Sequence, residues 1–420
     1  MLSKFITKNT IKSVCLARTF ATGQWSKITQ APPDAILGLN EQFKADTDPR
    51  KISLGVGAYR DDNGKPVVLP SVLEAEKKIA GKMDHEYPPI QGLANFNKLA
   101  AGFAYGEESP AFKENRIATC QALSGTGSLR LLGDFFKQNN VLSKVYIPLP
   151  TWPNHFGVFK AAGLETPSYQ YLDPKTQKLD LNSILSSIKS APNGSAFLFH
   201  ACAHNPTGVD PSHEDWMKIS DAIKAKNHYI IFDCAYQGFA SGNMEGDAWA
   251  IRYFVSQGHT VTLAQSFAKN FGLYGERCGC ASVVCESAEE QKKVTSQLKI
   301  AARTLWSNPP LYGARIVEQV LGDPKLKAQW YKECGQMASR IISMRSLLVE
   351  NLKKNGSKKD WSHITSQIGM FAFTGLTKEQ VLKVRKDYHI YLTDNGRISM
   401  AGVNTHNVEY IAKAFYEVTK

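Results

Sequence analysis

The sequence predicts an α/β protein: a mostly parallel sheet covered by helices in a large domain, with a small α+β domain attached. Three observations carry this. Five short apolar runs, rich in β-branched and aromatic residues, alternate with helically spaced stretches. One uninterrupted helical pattern then extends over residues 323–355, a length suited to linking two domains. Behind it lie three short strand-like runs and two helical ones. At 420 residues the chain exceeds what one core usually serves, so two domains are expected.

The elements follow in order. Residues 1–22 contain Lys4, Lys8, Lys12 and Arg18 and no acid, with abundant Ser and Thr. That composition predicts a mitochondrial-type transit peptide rather than part of the fold, and it lacks the continuous apolar centre of a secretory signal. The segment "RKISLGVGAYRDD" (50–62) reads as a crossing between domains. The apolar runs 144–150, 195–201, 228–233, 259–266 and 278–284 read as buried strands, and "ALSGTGSLRLLGDFF" (122–136) as the end of a strand opening into a helix. "DLNSILSSIKSA" and "HEDWMKISDAIKAKN" carry helical spacing between strands. After the long helix, "GMFAFTG", "YHIYLTD" and "GRISMAG" supply the short strands, and "NVEYIAKAFYEV" a last helix. In open sheets of this kind, ligands bind beyond the carboxyl ends of the strands.

Composition excludes several classes. Hydrophobic content of 43% and charged content of 21% are those of a globular protein, and no stretch approaches the roughly 20 apolar residues that cross a bilayer. The net charge of +12 falls to about +8 without the four basic residues of the N-terminus, a mild excess suited to small anions. No basic stripe with interleaved aromatics marks a nucleic-acid surface. The eight cysteines include Cys278 and Cys280, a C-x-C with no second cluster at metal-site spacing, and read as buried free thiols.

The informative residues sit at strand ends. Ser124-Gly125-Thr126-Gly127 is compatible with a phosphate cradle at a helix N-terminus or with a plain turn. Asp233 ends an apolar strand, where a carboxylate needs a cationic partner unless it caps the next helix. Tyr236 follows three residues on, and Asn205 lies in the turn "NPTG". Trp152, past another strand, is either core or a flat face for a planar ligand. His200 and His204 read as histidines of the core or behind the site rather than ligands. Lys269 stands among Ser266, Phe267, Ala268, Phe271 and Gly272, with Arg277 eight residues on. Burial there favours the neutral amine, a nucleophile toward an aldehyde. Pyridoxal phosphate supplies that aldehyde. Its phosphate needs a helix N-terminus and an arginine, its ring nitrogen a carboxylate, and its ring oxygen hydrogen-bond donors.

Taken together, "SFAKNFGLYGERCG", "HACAHNPTGVDP", "DCAYQGFASG", "LSGTGSLR", "SNPPLYGARI" and "GRISMAGV" resemble the signature segments of the aspartate aminotransferase family, the class I pyridoxal-phosphate-dependent aminotransferases. The resemblance runs from about Trp25 to Lys420. It implies the type I pyridoxal-phosphate-dependent transferase fold, with a seven-stranded sheet, and a homodimer with shared active sites. It implies a presequence over 1–22, an N-terminal arm and part of the small domain over 23–65, the large cofactor-binding domain over 66–336, and the small domain over 337–420. Lys269 would bind the cofactor as an imine and later shuttle a proton. Asp233 would pair with the ring nitrogen, with His155 behind it. Tyr236 and Asn205 would bond the ring oxygen, and Trp152 would stack on the ring. Ser124, Gly125, Thr126, Ser266 and Arg277 would surround the phosphate, joined by Tyr87 of a neighbouring subunit. Gly55, Arg397 and, across the dimer, Arg303 would bind a dicarboxylic substrate; by spacing alone both arginines read as surface residues. No expected residue is missing, and no metal is implied. Cys278 and Ser128 are minor departures from the pattern. The resemblance implies aspartate–2-oxoglutarate transamination in the mitochondrial matrix. A broader aminotransferase using aromatic amino acids or kynurenine, a β-decarboxylase, and a non-catalytic binding protein are the rival readings.

Overall fold

In a computed structural model, residues 23–31, 37–55 and 57–420 are described. The presequence expected over 1–22 lies outside them. Residues 23–31 belong to a separate N-terminal unit and make local turns, with Ser26 N–H donating to the Gly23 carbonyl. The described residues from 37 to 420 form one compact unit.

Seven strands build its central sheet: β1 (Ile117–Leu123), β2 (Val145–Leu149), β3 (Ser168–Gln170), β4 (Ala196–His200), β5 (Tyr229–Cys234), β6 (Val261–Ser266) and β7 (Cys278–Val284). Their spatial order is β1-β7-β6-β5-β4-β2-β3. All pairs are parallel except those of β7, which runs antiparallel to β1 and β6. Every residue of β4, β6 and β7 is buried, as near-continuous apolar runs predict for strands covered on both faces. The five expected strands are present. The edge strand β3 carried too weak a signal to predict: it is three residues long and buries only Tyr169.

The helix α1 (Ser124–Gln138) leaves β1 without any connecting loop. The helix α2 (Pro324–Lys354) matches the long pattern seen in the sequence. Asp323 caps it, accepting from the N–H groups of Lys325 (2.9 Å) and Leu326 (3.3 Å), and Pro324 occupies the first helical position, where no N–H is needed. Its inner face buries Trp330, Met337, Ile341, Met344 and Leu348 in one hydrophobic cluster that also contains Phe371, Ile398 and Met400.

Two further pairings tie distant segments together. Ile52–Ser53 runs parallel to Ile390–Tyr391, and Phe371–Phe373 runs antiparallel to Arg397–Ser399. These bring the 52–57 segment and the C-terminal strands to the cavity described next. Seven of the cysteines are buried and free, as their spacing predicts. No helix among the described residues is long and apolar enough to cross a membrane.

Candidate active site

A cavity of about 310 Å³ opens beyond the carboxyl ends of β1, β4, β5 and β6. Eleven of the fourteen residues singled out from sequence line it: Ser124, Gly125, Thr126, Trp152, Asn205, Asp233, Tyr236, Ser266, Lys269, Arg277 and Arg397.

One end is built from the start of α1. Ser124 takes a left-handed conformation (φ 58°), uncommon for a residue with a side chain, and no side chain caps the helix that follows. Its first N–H groups are left for a ligand. The Ser124 and Ser266 hydroxyls share a hydrogen bond of 2.8 Å across this end. A Cβ on Gly125 would lie 3.5 Å from that of Ser266 and 3.9 Å from Asp233 Oδ1, so the glycine keeps the floor open. Arg277, also left-handed (φ 51°), contributes a guanidinium. Gly279 permits this closeness: a Cβ there would stand 2.8 Å from the Ser124 Cα.

Asp233 lies on β5. Its Oδ2 meets His155 Nε2 at 2.9 Å, and His155 Nδ1 meets the Thr151 hydroxyl at 2.8 Å. Burial, the largest single influence, opposes ionisation of the carboxyl, but the His155 hydrogen bond together with the His155 and His200 charges outweighs it and holds the pKa below the usual value. The other oxygen, Oδ1, is buried with no partner. A buried carboxylate with one free oxygen calls for a cationic donor from the cavity. His200, on β4, also lines the cavity. Its two ring nitrogens are buried without protein partners, and burial pushes its pKa down to about 3. The sequence reading had no means of placing this ring in the cavity. His204 is bonded through Nδ1 to the Thr207 hydroxyl (2.8 Å), behind the site as expected.

Lys269 follows β6. Its Nζ donates to the Gly57 carbonyl at 2.5 Å and stands 5.0 Å from the Tyr274 ring centroid. Among the described residues no carboxylate pairs with it. Burial first, then the nearby Arg397 and Arg277 charges, brings its pKa down to about 8. The next residue is gripped from behind: the Trp330 indole N–H donates to the Asn270 carbonyl at 2.8 Å. Tyr236 is buried, and burial raises its phenol. Asn205 is presented by a turn whose Ala203 and His204 N–H groups donate to Asp210 at 2.6 and 2.8 Å.

Arg397 forms the opposite wall. It is buried, with burial bringing its pKa down to about 10, and among the described residues it pairs with no carboxylate. Its Nη2 donates to the Gly55 carbonyl at 2.6 Å, its Nε has no partner, and its guanidinium carbon lies 4.2 Å from the Phe371 ring centroid. A desolvated guanidinium of this kind is built to receive a carboxylate.

Three expected residues lie elsewhere. Gly55 sits behind Arg397 as its acceptor; Gly57, two residues on, is the glycine that lines the cavity. A Cβ on Gly57 would lie 2.9 Å from the Phe371 ring and 3.6 Å from Lys269 Nζ. Tyr87 is 85% exposed and lines a separate surface groove with Tyr312. Arg303 is exposed at the end of helix 288–305, donating to the Ser307 hydroxyl. Phe371 was missed outright. "GMFAFTG" reads only as a strand, and nothing in it marks a ring that would pack against Arg397.

A lysine of lowered pKa, an open helix N-terminus beside an arginine, and a half-paired buried carboxylate could hold a phosphorylated, cationic-ring aldehyde. The donor set thus fits pyridoxal phosphate. Residues 49–415 match the family "Aminotransferase class I and II", and the chain belongs to that family. Members of the class I group depend on pyridoxal phosphate. The chain is 55% identical over 400 residues to a mitochondrial aspartate aminotransferase of Dictyostelium discoideum, covering 95% of this chain and 94% of the relative. Its fold matches the cytoplasmic aspartate aminotransferase of Saccharomyces cerevisiae with a TM-score of 0.92 at 46% identity, over 95% of this chain and 98% of the other. An aromatic-amino-acid aminotransferase of Burkholderia pseudomallei, covalently bound to pyridoxal phosphate, matches with a TM-score of 0.92 at 41% identity, over 94% of this chain and all of the other.

Proposed function

We propose that this chain is an aspartate aminotransferase, moving the amino group of L-aspartate to 2-oxoglutarate by a ping-pong reaction that yields oxaloacetate and L-glutamate. The observation that carries the reading is the pairing, in one cavity, of the half-buried Lys269 amine with the buried Arg397 guanidinium. Pyridoxal phosphate, when bound, supplies the aldehyde that accepts the amino group and an aromatic ring that withdraws electrons.

This chain's residues do the rest. Ser124, Gly125, Thr126, Ser266 and Arg277 would hold the phosphate. Asp233, kept ionised by His155, would keep the ring nitrogen protonated. Tyr236 and Asn205 would donate to the ring oxygen, and Trp152 would lie against the ring face. Lys269 would hold the cofactor, and its Nζ, whose pKa is brought down to about 8, would carry a proton to and from the substrate α-carbon. Arg397 would clamp the α-carboxylate. Gly57, rather than Gly55, offers its backbone to the substrate.

Tyr87 and Arg303 point the reading toward a homodimer. Both are exposed and away from this chain's own cavity, so each would serve the cavity of a partner, Tyr87 at the phosphate and Arg303 at the side-chain carboxylate. The large domain would span 66–336, with an N-terminal arm and part of the small domain over 23–65 and the small domain over 337–420; closure of the small domain would exclude water. The presequence composition and the mitochondrial name of the Dictyostelium relative support the matrix as the site of action. The aromatic specificity of the Burkholderia protein is the second reading, but identity is higher to the aspartate enzymes.

Initial rates with both substrates varied test the proposal. Parallel double-reciprocal lines, with aspartate far better than phenylalanine and no carbon dioxide released, are expected. Carbon dioxide release from aspartate, or equal rates with phenylalanine, would overturn it in favour of a decarboxylase or a broad aminotransferase.

A further inference from the structure

Arg345 lies on the inner face of α2 and is buried to 1% exposure. Among the described residues no carboxylate pairs with it. Its guanidinium instead donates to three backbone carbonyls: Ile364 (2.9 Å), Gly369 (2.8 Å) and Phe371 (2.5 Å). Burying an unpaired cation is costly, and an apolar side chain of similar volume would fill the same space without that cost. What the guanidinium adds is direction: a rigid fork of donors that fixes several acceptors at once.

Of the three acceptors, Ile364 lies in the helix Ser362–Ser366 and Phe371 opens the strand paired with Arg397–Ser399, while Gly369 lies in the stretch between them, which has no ladder of its own. Between the helix ending at Ser366 and the strand starting at Phe371 the backbone is irregular, and Gly369 is left-handed (φ 85°). The front of this segment touches the cavity walls. The Ile368 N–H donates to the Gly208 carbonyl at 2.7 Å, in the turn that carries Asn205. A Cβ on Gly369 would strike that of Ala203 at 2.4 Å. The Phe371 ring lies under the Arg397 guanidinium and against Gly57. A rotation of the 367–371 backbone would therefore carry Phe371 away from Arg397.

We propose that Arg345 is a positioning residue for the α-carboxylate subsite: by fixing the 364–371 backbone it holds Phe371 beneath Arg397 and so presets the guanidinium that receives the substrate. This rests on the aminotransferase reading, in which Arg397 binds the carboxylate common to every amino-acid substrate. Arg345 touches neither Lys269 nor the residues assigned to the cofactor. Its loss should raise KM without equal damage to kcat.

The test compares the wild-type holoenzyme with Arg345→Met and Arg345→Lys. Steady-state kinetics are run with aspartate and with phenylalanine, succinate binding is measured by calorimetry, and the visible band of the bound cofactor is recorded. For Arg345→Met, KM for both amino acids and the succinate Kd should rise about ten-fold, a loss of the size of one charge-assisted hydrogen bond. The value of kcat should stay within about three-fold and the cofactor band should not move. The Lys variant, which keeps a donor, should recover part of the loss. Unchanged KM and succinate Kd, or a fall in kcat with a displaced cofactor band and unchanged KM, would overturn the proposal. Should Arg345→Met fail to fold, Arg345→Lys decides: a KM equal to wild type would overturn it. A wild type that binds succinate but does not transaminate would count against the aminotransferase reading, while the succinate Kd would still judge the clamp.

Discussion

Replacing Lys269 with methionine should stabilise the cofactor-free protein at neutral pH. The amine is half-buried with no counter-charge among the described residues, and its pKa falls from the ordinary 10.5 to about 8. That gap corresponds to about 3 kcal/mol of penalty on the charged form. Methionine fills similar space without charge but forfeits the hydrogen bond to the Gly57 carbonyl, worth about 1 kcal/mol. A net gain of about 2 kcal/mol at pH 7 follows, or roughly 2 °C in Tm for a chain of this size. Because the folded-state pKa is the lower one, the unfolded chain holds the extra proton between about pH 8 and 10.5. Wild-type stability therefore rises with pH through that window relative to the variant. Below it the full penalty applies; above it both states are neutral and only the lost hydrogen bond remains. The assay is denaturant unfolding of both cofactor-free proteins at pH 7 and at pH 10.5. The variant should be more stable at the first pH and equal or slightly weaker at the second. A variant destabilised at pH 7, or a difference that ignores pH, would refute the account of Lys269.

Other outcomes follow from the same geometry. Asp233→Asn keeps the His155 contact but removes the buried charge, and kcat should fall by about 10² to 10⁴, the size of a lost buried ion pair; steady-state rates check this. Gly57→Ala places a Cβ 2.9 Å from the Phe371 ring, so kcat/KM for aspartate should drop about ten-fold through displacement of the wall. Mixing Arg303→Leu and Arg397→Leu subunits should regenerate one intact site in each hybrid dimer. Random exchange then gives about a quarter of wild-type activity from two nearly inactive parents. Activity that stays at parental level would mean that Arg303 serves its own chain's cavity or none.

What could be read beforehand depended on how local each signal was. The strands of β4 to β7 announced themselves as apolar runs, with Asp233 near the end of β5 and Lys269 just beyond β6, while Ser124 stood at the end of β1, all where topology places ligands. The edge strand β3 did not, since Pro167 precedes it and only Tyr169 is apolar and buried. Arg397 shows the limit of spacing. On its own it looked like a surface residue, and only the Phe371–Phe373 pairing and the Gly55 carbonyl bring it, buried, to the cavity. Gly55 and Gly57 could not be told apart in "GVG", because which backbone faces the cavity depends on residues more than 200 positions away. His200 and Phe371 owe their places to long-range packing with no motif of their own. Arg345 was invisible for the same reason: an arginine in a helical pattern gives no hint that it faces inward onto three carbonyls.

The most direct test of the central claim is the absorption spectrum of the purified protein after incubation with pyridoxal phosphate, titrated with aspartate and then with 2-oxoglutarate. A visible band that aspartate replaces with a near-ultraviolet one, that 2-oxoglutarate restores, and that Lys269→Ala abolishes is the predicted result. A protein that takes up no chromophore, or one whose band is indifferent to aspartate, would contradict it.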